Sequence, residues 1–339
     1  MTNQAIEQDY DKTVDKWQPL CRKPEKSIGF IDTGTIHLQD FALLHGGKLN
    51  SVELYYNRYG SIHKPALIVL GGISSSRNLH EWWAELFGEQ KPLNPEQFQI
   101  IGIDYIANHH HQYPNLISTF DQAKIINELL EQLNINRAEA IIGSSYGGMV
   151  ALAFAHLFPQ KLNKLICIAA AHMNTQKSIA QRQIQQQVLE LGIASGKTQQ
   201  AVSIARQLGF ISYRSQKELE HRFKSHRIIE QQKLSYELVD YLKYQGEKFA
   251  AKFDIERYRS LSQSIDLHKV EPKGIVTEAL FIGIDSDELV PAELVKETAM
   301  SCRGTTQFQI IHSYYGHDGF LLEAEQLANC ITPFLRNTL

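Results

Sequence analysis

Apolar residues along this chain come first in short blocks and then at helical spacing. "ALIVLGG" (Ala66–Gly72) and "FQIIGIDYI" (Phe98–Ile106) are β-branched and almost wholly apolar, the pattern of strands buried on both faces. "AEAIIG", "KLICIAAA" (Lys164–Ala171), "EALFIGID" (Glu278–Asp285) and "TQFQIIHSYY" (Thr306–Tyr315) read the same way. "FDQAKIINELLEQLN" (Phe120–Asn134) instead sets Ile125, Leu129, Leu130 and Leu133 on one side of a helix. A second helix follows Ser145, and a third closes the chain from about Phe320 to Leu335. Strands alternating with helices predict an α/β fold with a doubly wound, mostly parallel sheet. Ahead of it, "FALLHGGKLNSVELYYNRYG" (Phe41–Gly60) puts two apolar-patterned runs around Gly46-Gly47 and predicts a β-hairpin.

The alternation stops near His172. From there to His268 the sequence is polar and helical, clearest in "IAQRQIQQQVLELGIA" and "ELVDYLKYQGEKFAAKF". The expected division is a polar arm over 1–25, a first core part over 26–172, a helical lid insertion over 173–268 and a second core part over 269–339. The glutamine cluster Gln181–Gln187 fits a solvated helix face.

The 339 residues are 43% hydrophobic, and the net charge of −3 carries no basic stripe, so nucleic acid is not an expected partner. No basic-then-apolar leader opens the chain and no apolar run would span a bilayer, so neither a signal peptide nor a membrane is expected. Cys21, Cys167, Cys302 and Cys330 are scattered, which fits free thiols and a cytoplasmic location. His109-His110-His111 suggests a metal at first sight. Three adjacent loop residues point apart, however, and no carboxylate pattern accompanies them, so no metal is expected.

"AIIGSSYGGMV" (Ala140–Val150) carries the chemistry. Gly143-Ser144-Ser145-Tyr146-Gly147 fits the G-x-S-x-G nucleophile elbow, with Ser145 exposed on a strained strand-to-helix turn. The pentapeptide also fits an ordinary Gly/Ser turn. A nucleophilic serine needs a base, and the base needs a carboxylate to fix its tautomer. In chain order these follow as acid and then histidine: Ser286-Asp287-Glu288 after one strand, Gly316-His317-Asp318 after the next. Asp285 competes with Asp287 but lies nearer its strand; His312 competes with His317 but reads as lying inside one. The oxyanion donors would be the backbone N–H of Tyr146 and, from Gly71-Gly72-Ile73-Ser74, that of Ile73.

These residues resemble the homoserine O-acyltransferases, enzymes of the α/β-hydrolase fold that serve methionine biosynthesis. The resemblance runs from about Phe41 to Leu335, most specifically in "GSSYGGMVALAFAHLFP", "ARQLGFISYRS", "YLKYQGEKFAAKFD", "SDELVP" and "GHDGFLLE". That family moves an acyl group from acyl-CoA to the homoserine hydroxyl through an acyl-serine. The resemblance therefore implies nucleophile Ser145, acid Asp287 and base His317, with acyl-CoA as co-substrate and no cofactor. It also implies substrate binding by Arg206, Tyr213 and Asp318, and a homodimer. A carboxylate suits Arg206 and an ammonium suits Asp318; Arg214 is the nearest competitor of Arg206, which by itself reads as a surface helix charge.

The chain also departs from the family. Its elbow has Tyr146 where Ser-Met-Gly-Gly is usual, its oxyanion loop is Gly71–Ser74 where His-Ala-Leu-Thr is usual, and "ANHHHQYPNLIS" replaces a long Gly/Ser/Pro-rich loop. Succinyl-CoA users often carry an arginine two residues after the acid; Leu289 stands there, which favours acetyl, although Arg77 could serve a succinyl carboxylate. Rival readings are a serine O-acyltransferase, a serine esterase of the same fold, and a binding protein without catalysis.

Overall fold

The computed structural model describes residues 30–108, 115–223, 227–230 and 233–336. The arm expected over residues 1–25 and the histidines 109–111 lie outside the described residues. The strands are β1 (Phe30–Ala42), β2 (Lys48–Tyr59), β3 (Ala66–Leu70), β4 (Gln99–Ile103), β5 (Ala138–Ser144), β6 (Leu162–Ile168), β7 (Arg227–Glu230), β8 (Lys233–Tyr236), β9 (Glu278–Ile284) and β10 (Thr306–Ile311). Eight of them form one sheet in the order β1-β2-β4-β3-β5-β6-β9-β10. From β4 to β10 every pairing is parallel, while β1–β2 and β2–β4 are antiparallel.

Helices cover both faces of this sheet, as a parallel sheet requires. They are α1 (Leu79–Trp82), α2 (Thr119–Gln132), α3 (Tyr146–Leu157), α4 (Gln176–Ser195), α5 (Thr198–Tyr213), α6 (Gln216–Arg222), α7 (Glu237–Ala250), α8 (Ile255–Asp266), α9 (Ala292–Ser301), α10 (Gly319–Leu322) and α11 (Ala324–Arg336). Successive strand residues feed opposite cores. Ile68, Leu70, Ile141 and Phe281 pack with α2, α3 and α9, whereas Leu67, Val69, Ile142 and Leu280 pack with Leu79, Trp83 and α11. Ser118 starts α2 with a reciprocal capping box to Asp121.

After β6 the chain leaves the sheet and returns through a two-stranded stem. Val270 N–H donates to the His172 carbonyl (2.8 Å), and Met173 bridges Lys269 antiparallel. His268, fully buried, holds Thr119 Oγ1 and the Ala171 carbonyl through its two ring nitrogens (2.9 and 3.0 Å). Burial lowers its pKa to about 4, so the ring is neutral at neutral pH.

Several expectations change. The strand before Gly46-Gly47 is not the run at Phe41 but the longer β1, which starts at Phe30. It is an edge strand with polar residues on its open side, so its apolar pattern is weak. β10 stops at Ile311 because its parallel partner β9 ends at Ile284, so His312 lies just past the strand and not inside it. The insertion is not all helix: β7 and β8 form a hairpin. The glutamine cluster is not wholly solvated either, since Gln185 and Gln186 are buried. α9, between β9 and β10, was not singled out in the sequence.

Candidate active site

Ser145 sits between β5 and α3 with φ +54° and ψ −121°, a left-handed conformation that costs a non-glycine residue energy. Packing on both sides compels it. A Cβ on Gly143 would lie 2.2 Å from the Gly147 carbonyl oxygen, and one on Gly147 would lie 2.3 Å from that of Leu70. Ser145 N–H donates to the Ile168 carbonyl and Gly147 N–H to that of Gly71, both at 2.9 Å, pinning the turn to its neighbouring strands. Ser145 lines a cavity of about 430 Å³, whereas Ser144 is fully buried away from it with an unpartnered hydroxyl.

His317 reaches that serine from the loop after β10: Nε2 lies 2.7 Å from Ser145 Oγ. Its Nδ1 lies 2.6 Å from Asp287 Oδ2, while Oδ1 accepts from the N–H groups of Leu289 (2.8 Å) and Val290 (2.9 Å). A carboxylate that accepts through both oxygens makes Nδ1 the donor and leaves Nε2 free to accept the serine proton. Burial disfavours the imidazolium, but the charge and hydrogen bond of Asp287, with the charge of Asp318 behind it, outweigh burial. The His317 pKa therefore stands above its ordinary value.

The competing acid and histidine pair with each other elsewhere. Asp285 Oδ2 lies 2.9 Å from His312 Nδ1, with side chains 42% and 80% exposed, so this pair faces solvent and reaches no serine nucleophile. Burial is the largest single effect on Asp285 and acts to raise its pKa, but the hydrogen bonds from Ser313 N–H, His312 and Ser286 N–H and the charge of His312 together outweigh it, so the pKa is lowered.

Ile73, Tyr146, Arg206, Tyr213 and Asp318 all line the cavity with Ser145 and His317. Tyr146 is the first residue of α3, where a backbone N–H has no preceding turn to pair with. Arg206, on α5, spreads its guanidinium over Phe249 (4.5 Å) and Tyr213 (5.3 Å). Arg214 is buried outside the cavity lining, 3.2 Å from Glu218 and 3.1 Å from Asp318. Burial raises the Asp318 pKa, an effect that the charges of Arg214, His317 and Arg206 only partly oppose. Arg77 does not fit the succinyl role considered for it. It is ion-paired with Asp104, takes no part in the cavity lining and covers Tyr55 at 5.3 Å.

The sequence left other groups unmarked. Trp82, Trp83 and Phe320 line the cavity on the sheet side, and Phe249 and Phe253 on the insertion side. The four-residue spacing of the last two was the available signal. Tyr146, where the chain departs from the usual elbow, has a buried ring whose hydroxyl meets Ser264 of α8 at 2.8 Å, tying elbow to insertion. Among the described residues no group of three or more His, Cys, Asp or Glu could hold a metal ion, and no helix is long and apolar enough to cross a membrane. Cys167, Cys302 and Cys330 are free thiols.

Residues 65–324 match the family model of the alpha/beta hydrolase fold. A homoserine O-succinyltransferase of Xanthomonas campestris is 30% identical over 305 residues, 87% of this chain and 81% of that protein. A homoserine O-acetyltransferase of Deinococcus radiodurans is 27% identical, covering 94% of this chain and 95% of its own. The crystal structure of homoserine O-acetyltransferase from Staphylococcus aureus superposes with a TM-score of 0.78 at 24% identity, over 91% of this chain and 96% of its own, a likeness of fold. With this fold and these relatives along most of its length, the chain belongs to the homoserine O-acyltransferase family of α/β-hydrolase-fold proteins.

Proposed function

We propose that this chain transfers an acyl group from an acyl-CoA thioester to the side-chain hydroxyl of L-homoserine, through an ester on Ser145, as a step of methionine biosynthesis. One observation carries the reading. The Ser145–His317–Asp287 hydrogen-bonded chain opens into the same cavity as a guanidinium, Arg206, and a carboxylate, Asp318. An esterase needs the first feature alone; an amino-acid acceptor, with a carboxylate and an ammonium, needs both.

The geometry supports the following steps. His317 Nε2 takes the Ser145 proton as Oγ bonds to the thioester carbon, and the Ile73 and Tyr146 N–H groups hold the resulting oxyanion. The C–S bond breaks, and the proton passes from Nε2 to the departing thiolate. Homoserine then enters, with its carboxylate on Arg206 and its ammonium on Asp318, beside Tyr213. Its hydroxyl gives its proton to Nε2 as its oxygen attacks the ester carbon, and collapse returns the proton to Ser145. Asp287 keeps the imidazole oriented throughout. The scheme needs no metal or organic cofactor.

Acetyl is the favoured acyl group, supported by Leu289 two residues after Asp287 and by the engagement of Arg77 with Asp104. The chain is proposed to act in the cytoplasm as a homodimer. Ile184 and Leu191 on α4, and Ile204 and Ile211 on α5, are exposed at heptad spacing, a surface that a second copy would cover. The deciding experiment is mass spectrometry of the product formed from homoserine or serine with acetyl-CoA or succinyl-CoA. O-acetylhomoserine is expected. Discharge of the acyl-enzyme by water, no faster with homoserine present, would make the chain a hydrolase.

A further inference from the structure

The side of the cavity away from the insertion is a chain of aromatic residues linked by ring contacts and indole hydrogen bonds. Phe320 stands edge-on to His317, ring centroids 5.5 Å apart. Trp83 Nε1 donates to the Phe320 carbonyl (3.0 Å), and Trp82 stacks on Trp83 with centroids 5.0 Å apart. Trp82 Nε1 donates to the Ser76 carbonyl (2.9 Å). Its ring edge lies against Gly71, where an added Cβ would be 2.8 Å from Cη2. Gly71 opens the loop that carries Ile73. The arc therefore runs from the histidine base to the oxyanion loop, the two groups that flank the carbonyl of an acyl-serine.

Charge divides the cavity the same way. Among the described residues, the cations that line it, Arg182, Arg206, Lys248 and Lys252, all stand on the insertion, whereas Glu81 and Glu85 line it near the tryptophans. Both indole N–H groups are spent on backbone carbonyls, so the arc offers ring surface without donors. We infer that this arc is the acyl subsite, that it takes short uncharged acyl chains, and that Trp82 is the residue that sets their length. The inference rests on acylation of Ser145 as proposed above. An amino acid seated on Arg206 occupies the insertion side, which leaves the arc for the chain of the acyl group. A chain ending in a carboxylate would meet no cation of the lining there and would face Glu81, beside Glu85, which pairs with Lys91 (3.7 Å). Trp82 is held by its hydrogen bond, its stacking and Gly71 together, so it cannot swing aside for a longer chain.

The test is rapid-quench intact-mass measurement of Ser145 acylation by acetyl-, butyryl-, hexanoyl- and succinyl-CoA, on wild type, Trp82→Ala and Trp82→Phe. Discharge of the acetyl-enzyme by homoserine is followed separately, and thermal unfolding identifies the folded variants. Each methylene accommodated in an apolar pocket is worth about tenfold or more in selectivity. Trp82→Ala should therefore raise the hexanoyl-to-acetyl ratio by about tenfold or more, with Trp82→Phe in between and succinyl poor in all three. Trp82→Phe keeps an aromatic ring on Trp83, so the comparison stands even if the alanine variant does not fold. A ratio unchanged in a folded variant, or succinyl-CoA as the better donor of wild type, overturns the subsite while leaving Ser145 acylation intact. No acyl adduct on wild type from any thioester overturns the proposed function, and the subsite with it.

Discussion

In the sheet, most positions closed off from water are apolar: Ala66–Leu70 and Ala140–Gly143 are buried throughout, with Asn57, Gln99, Ser144 and Lys164 as buried polar residues on the strands. In the insertion, Arg182, Gln185, Gln186, Ser203, Arg214 and Glu218 are just as buried. Several of these polar groups have specific partners. Arg182 bonds Asp266 (2.6 Å) and Asn174 (2.7 Å), Gln186 bonds the Arg259 carbonyl (3.2 Å), and Arg214 lies between Glu218 and Asp318. A separate small cluster, Phe210, Phe223, Tyr241 and Leu242, is the insertion's own apolar core. The side chains of the sheet are thus stabilised mostly by close-packed apolar burial, and the interior of the insertion also by directional polar contacts that require their partners in place. In the proposed chemistry the loops after the strands carry the bond-making groups and Asp318, and the insertion carries Arg206 and Tyr213, so the acceptor would be held between the two regions.

The strongest way to break this comparison is at the elbow. Ser145→Ala should lower turnover about a million-fold and abolish the acyl adduct, while Ser144→Ala, outside the cavity, should retain the adduct. Intact-mass analysis after brief exposure to acetyl-CoA decides it, and an adduct that survives in Ser145→Ala removes the sheet from its assigned role. Next, Asp287→Asn should cost about four orders of magnitude in kcat with the fold intact, against little for Asp285→Asn on the solvent-facing pair. Steady-state rates and circular dichroism of both variants test this; reversed effects would make the exposed pair the functional one.

On the insertion side, Arg206→Ala should spare acylation of Ser145 and slow homoserine discharge by about 10- to 150-fold, the worth of a charge-assisted contact. Asp318→Asn, on the loop that carries His317, should do likewise. If Arg206→Ala loses the acylation step instead, recognition of the acyl donor belongs to the insertion; if Asp318→Asn does, it belongs to the loop after β10. The pH dependence sharpens the same line. His317 must be neutral to act as base and its pKa is raised, so acylation should fall as pH drops through an apparent pKa above the ordinary 6.5. Asp318→Asn removes a charge that favours the imidazolium, so that midpoint should move down; a midpoint that stays put or rises shows that Asp318 does not bear on His317.

The smallest effect concerns the stem between the two regions. His268 is neutral in the fold, its pKa lowered to about 4 by burial, while the unfolded chain binds a proton below about 6.5. Between these values the unfolded state holds more protons, so this residue makes stability fall as pH drops from 6.5 toward 4. The slope is at most about 1.4 kcal/mol per pH unit. Urea titrations of wild type and His268→Gln across that window should show a shallower fall in the variant.

Much of this was legible in the residues. The buried blocks at Ala66, Ala138 and Glu278, and the apolar side of α2, marked their elements because alternation between two cores leaves a run of apolar side chains. β1 escaped because an edge strand needs apolar residues on one side only. Gln185 and Gln186 escaped because a glutamine inside and a glutamine outside are the same letter, and only their partners distinguish them.

By itself the sequence determined the parallel α/β sheet, the elbow at Ser145, and the order of serine, acid and histidine along the chain, since each depends on neighbours close in sequence. Tertiary structure decided which of the two aspartates meets the histidine at Ser145; it is Asp287, the one the sequence reading favours. Asp285 and Asp287 follow the same strand, but Asp285 N–H is taken by the Ile311 carbonyl at the outer end of β10 (3.2 Å), and Asp287 lies a turn further on, against His317. It decided likewise that Arg206 lines the cavity while Arg214 lies buried against Asp318, and that Arg77 is spent on Asp104. Such choices rest on the direction of one side chain, and direction is set by register and packing between segments far apart in the chain, which spacing along it does not encode.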